Sequence, residues 1–147
     1  MYTKILVPLD GSSASESILS HVVALAQSCG AALYFLEVLE PLPPHAAVIE
    51  PQLLAEGASH RAEDVTHYVQ EKAAEARAQG LAATALVRRG AVVETILHTA
   101  NELGADLIAM ASHGYRGLAR VVYGSVAADV LHRATVPLLL LRIEAKN

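Results

Sequence analysis

Short apolar runs alternate along this chain with stretches whose apolar residues recur every three or four positions. Lys4 to Leu9 (KILVPL) predicts a first strand. Ser13 and Glu16 then read as a capping box, followed by Ile18, Val22, Leu25 and Cys29 at helical spacing, with Gly30 suited to the helix end. Ala32 to Leu39 (ALYFLEVL) predicts a second strand. Residues 40–51 carry Pro41, Pro43, Pro44 and Pro51, so this stretch is read as an irregular and mobile loop. From about Gln52 to Gln79 the pattern predicts a long helix with Leu54, Ala58, Ala62, Val65, Val69 and Ala73 turned inward and Gly80 at its end.

Ala83 to Arg88 predicts a third strand whose polar exit suits a sheet edge. Val92, Ile96, Ala100 and Leu103 mark another helix, closed by Gly104. Asp106 to Ala111 (DLIAMA) predicts the fourth strand. A glycine-bearing loop leads to a last helix from about Ser125 to Ala134. Val136 to Ile143 (VPLLLLRI) predicts the last strand, with Pro137 at its start, where a missing N–H is tolerated. Strands alternating with helical stretches predict parallel βαβ units, here five strands and four helices in one domain spanning residues 1–147. The first and fourth strands are the most continuously apolar and are therefore placed side by side at the sheet centre.

Composition narrows the class. A chain of 147 residues, 53% hydrophobic and 18% charged, buries a full core and is too apolar for disorder. A formal net charge of −4 argues against general nucleic-acid binding, which needs a basic face. Cys29 is the only cysteine, which excludes an internal disulfide and is read as a small hydrophobe buried on a helix. No apolar run approaches the length of a membrane span, and the one in Met1 to Asp10 is too short for a signal peptide. A soluble cytoplasmic protein is expected.

In open parallel sheets ligands bind beyond the carboxyl ends of the strands, where the strand order reverses. The exits of the first and fourth strands carry Asp10-Gly11 and Ala111-Ser112-His113-Gly114, so a carboxylate and a glycine loop are expected to share one crevice. Gly124-Ser125 opens the last helix. Unpaired amides at a helix N-terminus attract phosphate, and a glycine there lets the anion approach the backbone. Ser125 reads equally as a simple N-cap, and the two roles are compatible. Gly114 and Gly117 read either as ligand contacts or as turn residues.

These residues form a recognisable pattern. The run ILVPLDGSSAS, the LEVLE of the second strand and GSVAADVLHRATVPLLLLR near the carboxyl end resemble the universal stress protein family over nearly the whole length. Nucleotide-binding members of that family carry glycine, two residues, glycine, nine residues, then glycine with serine or threonine. Here the spacing is Ala111-Ser112-His113-Gly114, nine residues, Gly124-Ser125, with Ala111 in place of the first glycine. The resemblance implies a Rossmann-like α/β fold with a five-stranded parallel sheet of order 3-2-1-4-5 and helices on both faces. It implies ATP or AMP as ligand, with Mg2+ or Mn2+ carried through the phosphates.

Residue by residue, the resemblance implies that Pro8, Leu9 and Asp10 lie near ribose and adenine, and that the Val38 backbone reads the adenine edge. Met110 and Ala111 would wall the ribose and α-phosphate, and Gly114, Gly124, Ser125 and Val126 would cradle phosphate. His113 and Arg116 read either as phosphate partners or as solvated surface. The resemblance also implies a homodimer through the last strand.

Three functional classes remain at this point: a nucleotide-dependent binding or regulatory module of the stress response, a slow ATPase, and a nucleotide-free interaction protein. The phosphate-binding and nucleophile motifs of the common enzyme classes are absent, and no histidine pair has metal-ligand spacing. His21, His60, His67 and His132 are read as exposed helix surface. No catalytic residue is assigned. The nucleic acid and membrane classes are set aside, and the downstream protein partner is not readable.

Overall fold

The structure, a computed structural model, describes residues 1–41, 51–112 and 124–143, excepting the side chains of residues 51–56 and 58. Its elements in chain order are β1 (Lys4–Pro8), α1 (Ser13–Glu16), α2 (Leu19–Cys29), β2 (Ala32–Leu39), α3 (Pro51–Ala78), β3 (Ala83–Arg89), α4 (Val92–Leu103), β4 (Leu107–Ala111), α5 (Ser125–Arg133) and β5 (Leu138–Leu141). The five strands form one parallel sheet of order β3-β2-β1-β4-β5. β1 and β4 lie side by side, and β3 takes an edge, as expected.

Two apolar layers sandwich the sheet. On one face Val7, Leu33 and Phe35 pack with Val22 and Ala26 of α2 and Ala73 and Ala76 of α3. On the other, Leu6, Leu36 and Ile108 pack with Ile96 and Ala100 of α4 and Ala127 and Val130 of α5. Alternate residues of one strand thus enter different cores, which explains why β1 and β4 are apolar at nearly every position. Val65, Val69 and Ala73 are buried along α3, as the helical spacing predicts, while Leu54 and Ala58 fall outside the described side chains. Gly30 and Gly104 end α2 and α4 in the left-handed region, with φ of 72° and 65°.

Several boundaries differ from the sequence reading. The first predicted helix is broken: the amides of Ser17 and Ile18 bond back only three residues, to Ala14 and Ser15, which separates α1 from α2. Ser17 Oγ also bonds the Ser13 carbonyl at 3.3 Å, a side-chain competitor for the helix ladder. The N-cap is Ser12, not Ser13, and its hydroxyl accepts from Ser15 N at 3.1 Å. Pro51 belongs to the first turn of α3 rather than to a loop, a position where no N–H is required. Of the loop read over residues 40–51, residues 42–50 lie outside the described residues. Cys29 is half-buried at the end of α2, not fully buried.

The last strand departs furthest. It is shorter than predicted, and its leucines are not covered on both faces: Leu138, Leu140 and Leu141 are half-buried and Leu139 is 36% exposed. An edge strand overhangs the helices that cover the sheet centre, so apolar sequence alone does not secure burial there.

Candidate functional site

Register brings the strand exits to one level. Pro8 pairs with Leu36, Leu9 N donates to Leu36 O at 2.8 Å, and Leu6 pairs with Ile108. Continuing both registers sets Asp10 level with Val38 on one side and Ser112 on the other. The order reverses at β1, which carries β2 on one side and β4 on the other, the place where open parallel sheets generally leave a ligand crevice.

The β1–α1 turn is held by its own polar groups. Asp10 Oδ1 accepts from Ser12 N at 2.9 Å and from the Ser12 hydroxyl. Ser15 Oγ donates to Ser12 O at 3.0 Å and accepts from Asp10 N at 3.3 Å. The Ser12 amide, which a capping box would satisfy from the third helical residue, is taken here by Asp10. Glu16 instead pairs with Lys72 of α3 at 2.8 Å. The Asp10 side chain is oriented through one oxygen and exposed.

At the β4 exit, Ser112 ties three segments together. Its amide donates to Leu141 O at 2.8 Å, its hydroxyl accepts from Ile143 N at 3.2 Å, and its carbonyl accepts from Gly124 N. This last bond delivers the start of α5 to the crevice. Gly124 is the N-cap, with φ −54° and ψ 146°, and as a glycine it brings no side chain to cap the helix. Ser125 is therefore the first helical residue and not the cap of the sequence reading. The first helical bond runs from Ala128 N to Gly124 O, so the amides ahead of it face outward from the helix end.

Of the residues singled out from sequence, Pro8, Leu9, Asp10 and Val38 stand at the exits of β1 and β2. Met110 and Ala111 stand buried at the end of β4, and Gly124, Ser125 and Val126 open α5. His113, Gly114, Arg116 and Gly117 lie outside the described residues. His21, His60, His67 and His132 are exposed on helices, as read. None of these residues lines the cavity of about 360 Å3 between α2 and α3, whose walls include Leu19, Val23, Phe35 and Lys72.

Sequence reasoning missed Glu37. It sits in β2 with only 9% of its surface exposed, on the face that meets α2 and α3. Its Oε1 lies 3.7 Å from where a Cβ on Gly11 would stand. Burial, then the neighbouring Asp10 carboxylate, pushes its acidity constant from 4.5 up to about 7, against an opposing pull from Arg61. Beside it the Tyr68 hydroxyl is buried with no hydrogen-bond partner among the described residues. Burial and the nearby carboxylates of Glu16, Glu37 and Asp10 hold that phenol well above its usual range. Glu16, drawn toward Lys72, acts on the phenol by charge and does not bond it. The signal available in sequence was a carboxylate inside an otherwise apolar strand, at an inward position.

Gly90 closes the neighbouring strand exit. Its amide donates to Leu39 O at 3.0 Å, its φ is +145°, and an added Cβ would stand 2.8 Å from Thr95 Oγ1. Only glycine combines that backbone with that approach.

The model of the universal stress protein family matches residues 1–142. The chain is 31% identical over 156 residues to universal stress protein YxiE of Bacillus subtilis, covering 97% of this chain and all of that one. Among solved structures, that of MJ0577, a universal stress protein of Methanocaldococcus jannaschii, superposes with a TM-score of 0.83 at 26% identity, covering 100% and 99% of the two chains. Two more distant structures share the fold with TM-scores of 0.69. One is a universal stress protein in complex with cAMP, 22% identical over 96% of this chain and 97% of that one. The other is a universal stress protein family member from Arabidopsis thaliana with AMP bound, 16% identical over 97% and 93%.

Proposed function

The chain belongs to the universal stress protein family, and on that premise we propose that it is an adenine-nucleotide-binding module of the stress response. The observation that carries this reading is the convergence of three features on one crevice. These are the oriented Asp10 carboxylate, the Val38 backbone at the β2 exit, and the first-turn amides of α5 brought in by Ser112. A purine at the β2 exit, a ribose hydroxyl on Asp10 and phosphate at the start of α5 would use each feature for the chemistry it offers. The cAMP and AMP found in two proteins of this fold support the adenine nucleotide class.

The ligand in this reading is ATP or AMP. Among the described residues no cluster of His, Cys, Asp and Glu is placed to hold a metal ion. Mg2+ or Mn2+ would therefore enter on the phosphates, and the chain would contribute the anion-binding amides of α5 rather than a cage of its own. The module acts by binding. Asp10 is held by the Ser12 amide and hydroxyl, an arrangement that orients an acceptor but supplies no partner to relay a proton. Any hydrolysis of ATP is slow.

No helix among the described residues is long and apolar enough to cross a membrane, and the cytoplasm is the proposed compartment. The half-exposed β5 edge is the proposed meeting place of two copies, since a two-fold pairing there is self-complementary and closes after two subunits.

Mass spectrometry of the purified, denatured protein, with titration calorimetry against ATP and AMP, tests the reading. Co-purified adenine nucleotide, or micromolar binding of either ligand, is the expected result. Absence of both co-purification and binding at millimolar ligand would sink it.

A further inference from the structure

We propose that Glu37 is a positioning residue of this crevice, which by losing or gaining its proton weakens or strengthens the hold on an anionic nucleotide. The inference rests on the nucleotide reading above and adds a regulation of the same site. Glu37 immediately precedes Val38, and its carboxylate lies beside Gly11, 3.7 Å from where a Cβ there would stand, close to the turn that carries Asp10. It is nine-tenths buried, and none of the hydrogen bonds among the described residues ends on its carboxyl. A charge placed there is poorly screened and acts on whatever occupies the crevice above the turn.

The groups facing it come from every packed element. The β1–α1 turn contributes Asp10, while Glu16 of α1 is paired with Lys72 of α3 at 2.8 Å. From α3 come Arg61, the attractive charge acting on Glu37 among the described residues, and the Tyr68 hydroxyl, which has no hydrogen-bond partner among them. On β3 its register partner is Val87, and the adjacent Arg88 pairs with Glu102 of α4 at 3.2 Å. His21 of α2 is exposed. Among the described residues, two carboxylates thus crowd one turn with Arg61 as the opposing cation.

Ionised Glu37 repels both Asp10 and an incoming phosphate ester. Protonated Glu37 removes that repulsion and frees Asp10 to face a ribose hydroxyl. Its position near neutrality, about 7, places the change between pH 6 and 8. Acidification then tightens nucleotide binding.

The test is the Kd for ATP by calorimetry from pH 6 to 8, in the wild-type chain and in Glu37→Gln. The protonation of ATP itself cancels in the ratio of the two constants. That ratio, wild type over variant, is expected near 1 at pH 6 and to rise to about 5–10 at pH 8, on the order of 1 kcal/mol. Glu37→Leu, also uncharged, should follow the same profile, which separates charge from hydrogen bonding. Uncharged adenosine should show a smaller pH effect than ATP. If wild type and variants bind ATP with a ratio independent of pH, the role of Glu37 is wrong and the nucleotide reading stands. If none of them binds ATP at any pH, both fall together.

Discussion

Replacing Glu37 with Gln should stabilise the fold at pH 8 and do little at pH 5. An ionisable carboxyl with an unfolded value of 4.5 and a folded value of about 7 binds more protons in the folded state throughout that interval. Stability contributed by this group is therefore intact below pH 4.5, falls as pH rises, and is fully lost above about 7. At about 1.4 kcal/mol per tenfold change in acidity, the full loss is about 3 kcal/mol. Relaxation around the charge reduces this, so the expected figure is about 1–3 kcal/mol. Gln is isosteric and carries no charge at any pH, so its own packing cost is the same at both pH values and drops out of the comparison. Urea denaturation followed by circular dichroism at pH 5, 6, 7 and 8 reads the effect directly. The stability of Glu37→Gln relative to wild type should climb with pH and level off near 8. A difference that stays constant from pH 5 to 8 would refute the argument, because it would mean that Glu37 ionises in the folded chain as it does in water.

Gly124→Val should lose about thirty-fold or more in ATP affinity by calorimetry, about 2 kcal/mol, with the fold intact. Its φ of −54° and ψ of 146° suit any residue, so the loss would report close approach of a ligand rather than backbone strain. Asp106→Ala should cost about 2 kcal/mol in urea denaturation, because one carboxylate accepts from Thr3 N, Thr3 Oγ1 and Lys4 N at 2.8–3.1 Å. Its partial burial raises the acidity constant, but those three donors together hold it below the usual range, so the contribution is present above pH 3.8 and vanishes on further acidification. Leu139→Asp should convert a dimer to monomer in sedimentation velocity at micromolar concentration. A wild-type chain that already sediments as a monomer would remove the β5 interface.

The alternation of short apolar runs with helical spacing was enough to place all five strands and the long α3. Period 2 and period 3.6 are properties of a segment, set by where successive Cβ atoms point. Glycines at 30 and 104 likewise marked helix ends that local backbone geometry requires, and both adopt positive φ. The central placement of β1 and β4 was legible because a strand covered on both faces must be apolar at nearly every position. The strand order rested on family resemblance, and His21, His60, His67 and His132 read correctly as surface because none of the four fell on an inward face.

What needed the tertiary structure was every property that depends on a neighbour distant in sequence. β5 has the same apolar composition as β4, yet Leu139 is 36% exposed while Ala109 is fully buried, because β5 ends the sheet. The cap at Ser12 depends on Asp10 and Ser15 closing the turn together, where Ser13 and Glu16 fit the local motif equally well and Glu16 is drawn to Lys72. The crevice itself exists only because register levels Asp10 with Val38 and Ser112, and because Ser112 binds Gly124 across eleven intervening residues. Glu37 is the clearest case. In the chain it is one acid in an apolar strand, and its raised proton affinity comes from burial by the packed elements and from Asp10, whose sequence separations carry no local pattern. Hydrophobic periodicity determines which face of a segment turns inward. Which charges meet on that inward side is decided by packing alone.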